Sequence, residues 1–308
     1  MANENTPYGA EAASRPMQTF VQVLVSGVAT GCIYGLVALS FVLIYKATET
    51  VSFMQGDLLM VGAFGVLALN VAGGWPLWLA VPAGVMGMFA LGAALERSVL
   101  RRAIGQPHLT AVLLTFGLGM MLRGSVTTFP AASHSIHRLQ FPYTDEPLRF
   151  GTLAVAAEHL VVIGMTALLA ALLTLFFRRT RTGLALRACS ENPQVASLMG
   201  VSVPAMHTLA WAMGAALAAC AGLLLAPVTF VHLNMGLIAL KAFPAAVLGG
   251  MTSLPGALVA GVFLGVAEAL AGLMLPEGAK DIVPYALLMV ALLLFPSGLA
   301  GGFAGMRR

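Results

Sequence analysis

Apolar residues in this chain run in uninterrupted blocks of about 20, and such blocks recur along nearly the whole of its 308 residues. A block of that length is what a helix needs to cross a hydrocarbon layer, so the pattern predicts an all-α polytopic transmembrane protein and not a soluble domain with a large core. Membrane segments are expected near 20–45, 52–72, 76–95, 109–129, 156–177, 204–227, 237–251, 256–275 and 283–301, about eight or nine in all, some of them short or broken. The seventh is too short and too rich in Gly and Pro for an ordinary span. It is either a tilted short helix or a re-entrant one whose free backbone groups are covered by protein or line a cavity.

Composition sharpens this picture. Hydrophobic residues make up 59% and charged residues only 9%, against roughly 25% charged in a globular domain, and the mean hydropathy is +0.92. With 34 glycines, close helix approach is expected. The net charge of +4 comes from short basic clusters between apolar runs and not from one basic face, which excludes a nucleic-acid partner and leaves the charges to set topology. Cys32, Cys189 and Cys220 lie apart without metal or paired spacing. Residues 1–19 are expected to form a loose leader, the first apolar run shows no cleavage site, and one transmembrane domain fills 20–305.

Lys46, then Arg97, Arg101 and Arg102, then Arg178, Arg179, Arg181 and Arg187, and finally Arg307 and Arg308 can all be placed on one side of such a bilayer. By the positive-inside tendency that side is the cytoplasm, with the amino terminus outside and the carboxyl terminus inside. The run GLALRACSENPQVASLMG, 183–200, is polar with helical character and cannot sit in hydrocarbon. It forms a cytoplasmic loop, bounded at 178–203, that a cytoplasmic partner is expected to read.

Few residues suggest chemistry. Lys46, Lys241 and Lys280 are followed by Ala, Ala and Asp, so no phosphate-binding loop exists, and no nucleophile elbow or zinc-protease motif occurs. His134 and His137 lack a further ligand nearby, so no metal site and no catalytic residue is expected. Asp57, Arg123, Lys241 and Glu268 are ionisable residues within predicted membrane segments and should face an interior. Arg123 and Lys241 lie near segment ends and are expected to snorkel to the interface. Asp57 and Glu268 either are held by hydrogen bonds in a structural role or border a translocation route. Ser52 and Gln55 stand at capping-box spacing at the start of the second segment, a helix start that can also face a pore, so Ser52, Gln55, Asp57 and Glu268 are the candidate path residues. Glu96 is spaced to pair with an arginine four or five residues on.

Several stretches together resemble the permease subunits of branched-chain amino acid ABC importers, of LivH type. SFMQGD (52–57) is similar to that family's N-F-A-x-G-E box through Phe53 and Gly56. LERSVLRRAIGQPHLTAVLLTFGL (95–118) resembles its L-E-R stretch and T-x-G-L helix, and TGLALRACSENPQVASLMGV (182–201) matches its loop at Gly183, Arg187, Ala188, Ala196 and Gly200. KAFPAAVLGGMTSLPGALVAGVFLGVAEAL (241–270) and FPSGLAG (295–301) are similar to two further signatures, with Thr252 and Phe295 as departures. The resemblance implies a non-catalytic transport subunit of a bacterial inner membrane. It would work with a second related permease, two cytoplasmic ATP-binding subunits that hold the only ATP, and a periplasmic binding protein that delivers branched-chain amino acids or related amides or urea. It also implies that Gly183, Arg187, Ala188, Glu191, Ala196 and Gly200 form the ATPase-coupling loop, and that Pro244, Gly249, Gly250, Pro255 and Gly256 serve as hinges or close-packing points. The rival readings are an ion-coupled secondary transporter using Asp57 or Glu268, and a membrane-embedded enzyme, for which no constellation is visible.

Overall fold

A computed structural model of the protein describes residues 8–103, 106, 108–128, 137, 139, 141, 148–150, 153–276 and 278–294. Each of the nine predicted segments contains a helix: α1 (Tyr8–Thr48), α2 (Gln55–Val71), α3 (Leu77–Ser98), α4 (His108–Thr127), α5 (Ala157–Arg179), then α8 (Val203–Thr229), α9 (Ile238–Leu248), α10 (Leu254–Met274) and α11 (Val283–Leu294). Two further helices, α6 (Arg181–Glu191) and α7 (Pro193–Leu198), make up the polar loop. Helices are the natural outcome, because in lipid every backbone N–H and C=O must be satisfied within its own segment. Two three-residue strands, Leu148–Phe150 and Leu153–Val155, pair antiparallel before α5. Helix α1 runs back into the leader as far as Tyr8, while 295–301 and the terminal arginines lie outside the described residues.

Among the described residues six helices are long and apolar enough to cross a membrane, and burial sorts them. The apolar part of α1 is 89% buried and that of α8 78%, against 17% for α3 and α5 and 22% for α4. Helices α1 and α8 are therefore the centre, and α3, α4 and α5 present most of their surface outward.

What lets α1 sit in the middle is its row of small residues. Gly27, Gly31 and Gly35 recur every fourth position and face Gly261 and Gly265 of α10, so the two backbones touch: a Cβ on Gly31 would lie 2.6 Å from the Val262 Cα. Close approach of this kind replaces the hydrophobic driving force that is missing between helices in lipid. The same device recurs where Gly62 of α2 meets Ala219 of α8 and where Gly92 of α3 meets Trp211 and Ala215.

Polar ties close the two ends. At one, the buried Glu96 carboxylate of α3 accepts from Arg101 at 3.1 and 3.0 Å and from the Thr208 hydroxyl of α8 at 2.6 Å. The i, i+5 pairing anticipated for Glu96 is thus present, and it also fastens α3 to α8. At the other end Glu268 of α10 accepts from Tyr34 of α1 at 2.6 Å and from Lys241 of α9 at 2.8 Å, and Lys241 also reaches Asp281 at 2.6 Å. Lys241 does not snorkel, because two carboxylates lie within its reach.

Candidate functional site

The start of α2 lies inside the protein. After α1 the chain turns back at Glu49 (φ 53°) and runs non-helically through 50–54, where the Phe53 N–H donates to Thr115 of α4. The helix begins only at Gln55, whose side-chain amide approaches the Ser40 carbonyl at 3.5 Å. Ser40 stands eight residues before the end of α1, so α2 starts roughly 12 Å deep at 1.5 Å per residue. This overturns the capping box: Met54, fully buried, is the N-cap without a side-chain bond, and the Ser52 Oγ and Gln55 Oε1 are buried with no hydrogen-bond partner among the described residues. The tether at Phe53 and the burial of Met54 keep 52–54 out of the helix, which leaves Ser52 too far upstream to cap.

The other interrupted helix meets it there. Between α8 and α9 lies a 3₁₀ turn, Leu233–Leu237, and Gly236 in it packs directly on Gly56, so closely that a Cβ on either would strike the other's carbonyl. The turn and α9 together, Leu233–Leu248, are shorter than the six helices long enough to cross a membrane. Short or interrupted helices that meet inside a bundle are a recurring setting for solute sites in transporters.

Against this junction stands Asp57, in the first turn of α2, paired through its Oδ1 with the Arg123 Nε of α4 at 3.0 Å. Gly119 leaves room for the other carboxylate oxygen, which a Cβ there would hit. Arg123 was expected at the lipid interface; a half-buried partner of opposite charge holds it instead. The signal was present in the sequence, since two acids and two bases lie within membrane segments and each needs a partner. Among the described residues neither Asp57 nor Glu268 stands free as a lone ion site. Ser52 and Gln55 neighbour Asp57 in sequence, whereas Glu268 belongs to the cluster at the other end.

The polar loop builds a second locus. Thr180 ends α5 and caps α6, accepting from the Gly183 N–H at 2.9 Å; Asn192 ends α6 and caps α7, accepting from the Val195 N–H at 3.0 Å. Gly183 is packed against the Phe176 carbonyl, and Gly200, at φ 83°, ends α7 in a left-handed conformation that favours glycine. Leu186, Cys189 and Ala196 are buried toward the bundle, where burial pushes the Cys189 thiol pKa up. Arg187 and Glu191 form an exposed pair at 3.4 Å, and Ala188 is exposed beside them. Missed in the sequence were Leu184, Leu198 and Met199, which are 65%, 85% and 80% exposed on the same two helices. The signal was helical phase: with Leu186 and Cys189 turned inward, Leu184 falls on the outer face.

Pro244, Gly249, Gly250, Pro255 and Gly256 sit around the α9–α10 corner. Gly249 and Gly256 are in backbone contact, Gly250 has φ 84°, and Ser253 caps α10 by accepting from the Gly256 N–H at 3.2 Å with Pro255 in its first turn.

Compared with known proteins, residues 23–292 match the model of the family described as branched-chain amino acid transport system / permease component. The chain belongs to that permease family. It is 33% identical over 296 residues to the high-affinity branched-chain amino acid transport system permease protein LivH of Salmonella typhimurium, covering 92% of this chain and 96% of that one. LivH of Escherichia coli K12 is 32% identical over the same shares, and BraD of Pseudomonas aeruginosa is 30% identical over 295 residues, again 92% and 96%. As a permease component the chain is a multi-pass membrane protein of transport. No observation supports the ion-coupled reading.

Proposed function

We propose that this permease is the membrane-spanning subunit of an ATP-driven importer in the bacterial inner membrane, passing branched-chain amino acids or related small polar solutes inward from a periplasmic binding protein. A second related permease completes the pathway, and two cytoplasmic ATP-binding subunits hold and hydrolyse the ATP. The amino terminus is periplasmic and the carboxyl terminus cytoplasmic.

The observation that carries this reading, beyond the family itself, is the exposed apolar face of α6 and α7. Leu184, Leu198 and Met199 lie on helices capped at both junctions and wedged against the bundle, outside the membrane-spanning runs, beside Arg178, Arg179 and Arg181. Apolar side chains presented to water in that way mark a protein contact. Docked on an ATP-binding subunit, the rigid α6–α7 pair transmits closure of the nucleotide-binding pair to α5 and α8, to which it is joined. The switch between outward-open and inward-open states then requires that the docked surface bind the two states differently.

Co-purification of the tagged chain from native membranes tests the reading, followed by ATPase assay with branched-chain amino acids and the periplasmic fraction. Two ATP-binding subunits, a second permease and solute-stimulated hydrolysis are expected; a chain that purifies alone refutes it. In the same complex, Leu198→Glu with Met199→Glu, Gly200→Val, or Arg187→Glu should abolish uptake while the chain still inserts.

A further inference from the structure

We propose that the cavity between α1, α2, α4 and α9 binds the zwitterionic head group of an α-amino acid, Arg123 taking the carboxylate and Asp57 the ammonium, with the solute's side chain among Phe41, Phe53, Phe116 and Phe243. The inference rests on reading the chain as an amino-acid permease and assigns the site within it.

The cavity measures about 240 Å³, and its polar content is the ion pair. Arg123 uses only Nε on only one oxygen of Asp57. Among the described residues both of its terminal nitrogens and the second Asp57 oxygen have no hydrogen-bond partner. A guanidinium engaged at one corner keeps a planar fork free, the geometry that matches a carboxylate in two-point contact. The unengaged Asp57 oxygen is the matching acceptor for an ammonium group. Asp57 and Arg123 are half-buried at the cavity and joined by a single mutual hydrogen bond, so they have bonding capacity left for a ligand, and a zwitterion completes both without adding net charge. A cation or an anion of the same size would instead leave one charge unbalanced at a depth where that is costly.

The surroundings agree. The first turn of α2, with no side-chain cap at Met54, lines the cavity through Gly56 and Asp57, so the positive end of the helix lies beside it, which favours a carboxylate. The rest of the wall is apolar: Phe243 packs edge-on against Phe41 with ring centres 5.7 Å apart and tilted against Phe53 at 6.0 Å, and Phe116 is half exposed at the rim. An aliphatic side chain gains burial there, whereas a charged one has no partner.

The test uses the complete importer reconstituted in vesicles with its binding protein, following labelled leucine. Wild type must transport leucine; if it does not, the reading of the chain as an amino-acid permease has failed, separately from the site. With wild type active, Asp57→Asn/Arg123→Gln, which removes both charges together and so leaves no orphan, is expected to assemble but to lower leucine uptake roughly 10- to 100-fold, the loss of charge-assisted bonds to the solute. Uptake within about twofold of wild type would show that the pair only holds the fold and would overturn the proposal. Phe116→Ala, outside the ion pair, supplies a second reading should the double variant fail to assemble. Enlarging the wall should shift the ratio of phenylalanine to leucine uptake by about 10-fold toward phenylalanine, and an unchanged ratio overturns the proposal equally.

Discussion

Adding one methyl group at Gly31 should force the two most intimately packed helices apart. Its Cβ would stand 2.6 Å from the Val262 Cα and 2.8 Å from the carbonyl oxygens of Gly261 and Val262, all of them backbone atoms of α10 that no rotamer change can move. Ordinary contact needs about 3.5–4.0 Å, so α1 and α10 must separate by about 1 Å. A gap of that size forfeits a quarter to a half of each dispersion contact. Over a few dozen atom pairs, at about 0.05 kcal/mol each, the loss is about 2 kcal/mol, within the range for overpacked cores. Against it stands the intrinsic preference of a helix for Ala over Gly, about 1 kcal/mol. Gly65 on α2 isolates that second effect, because a Cβ there meets nothing within 4 Å. Gly31→Ala should therefore lower, and Gly65→Ala raise, the melting temperature in detergent, the two variants differing by several degrees at about 2–4 °C per kcal/mol. Gly265→Ala should behave like Gly31→Ala, and combining the two should cost less than the sum, since one separation relieves both clashes. Equal shifts for Gly31→Ala and Gly65→Ala would refute the claim that α1 and α10 are in backbone contact.

Two further outcomes can be checked on the purified chain. Glu96→Gln removes the charge that accepts from Arg101 and Thr208 and should cost about 1–2 kcal/mol, reduced from the buried-pair range by the partial exposure of Arg101; an unchanged melting temperature would mean that the α3–α8 tie contributes nothing. The hydrogen bond from Lys241 holds the Asp281 carboxyl below its ordinary pKa. The stability that Asp281 adds over an Asp281→Asn variant should accordingly be present in full above about pH 4 and disappear as pH falls through the depressed value; a difference that grew on acidification would refute the pairing.

The places of the helices were legible and their neighbours were not, for one physical reason. Hydropathy reports that a segment avoids water, and α1 and α5 both do so, yet the apolar window of α1 is 89% buried in protein while that of α5 is 17% buried. Lipid is as apolar as a leucine side chain, so no amphipathic stripe marks the inward face as it would in a soluble bundle. The spacing of Gly27, Gly31 and Gly35 carried that information, since only small side chains admit a second backbone. The α9–α10 corner was readable for the same reason: the run GGMTSLPGA needs Gly250 at positive φ and Gly249 against Gly256, constraints that leave a visible string of residues. Ser52 misled because capping chemistry is local, whereas the start of α2 is set by a contact 62 positions away, between Phe53 and Thr115.

The intramembrane charges follow the same logic at longer range. Each of Asp57, Arg123, Lys241 and Glu268 had to find a partner, but four charges allow two pairings, and only the fold selects Asp57 with Arg123 and Lys241 with Glu268. The two pairs then differ in a way that no sequence pattern records. Lys241 and Glu268 are knit further by Tyr34 and Asp281, so their bonding capacity is largely filled and they hold α1, α9 and α10 together. Among the described residues Asp57 and Arg123 share one bond, at the junction of two interrupted helices, and keep the rest of their capacity unused. A pair that is saturated resists change, and a pair that is not can exchange partners with a passing charge, which is why the second one is the place to look for the solute.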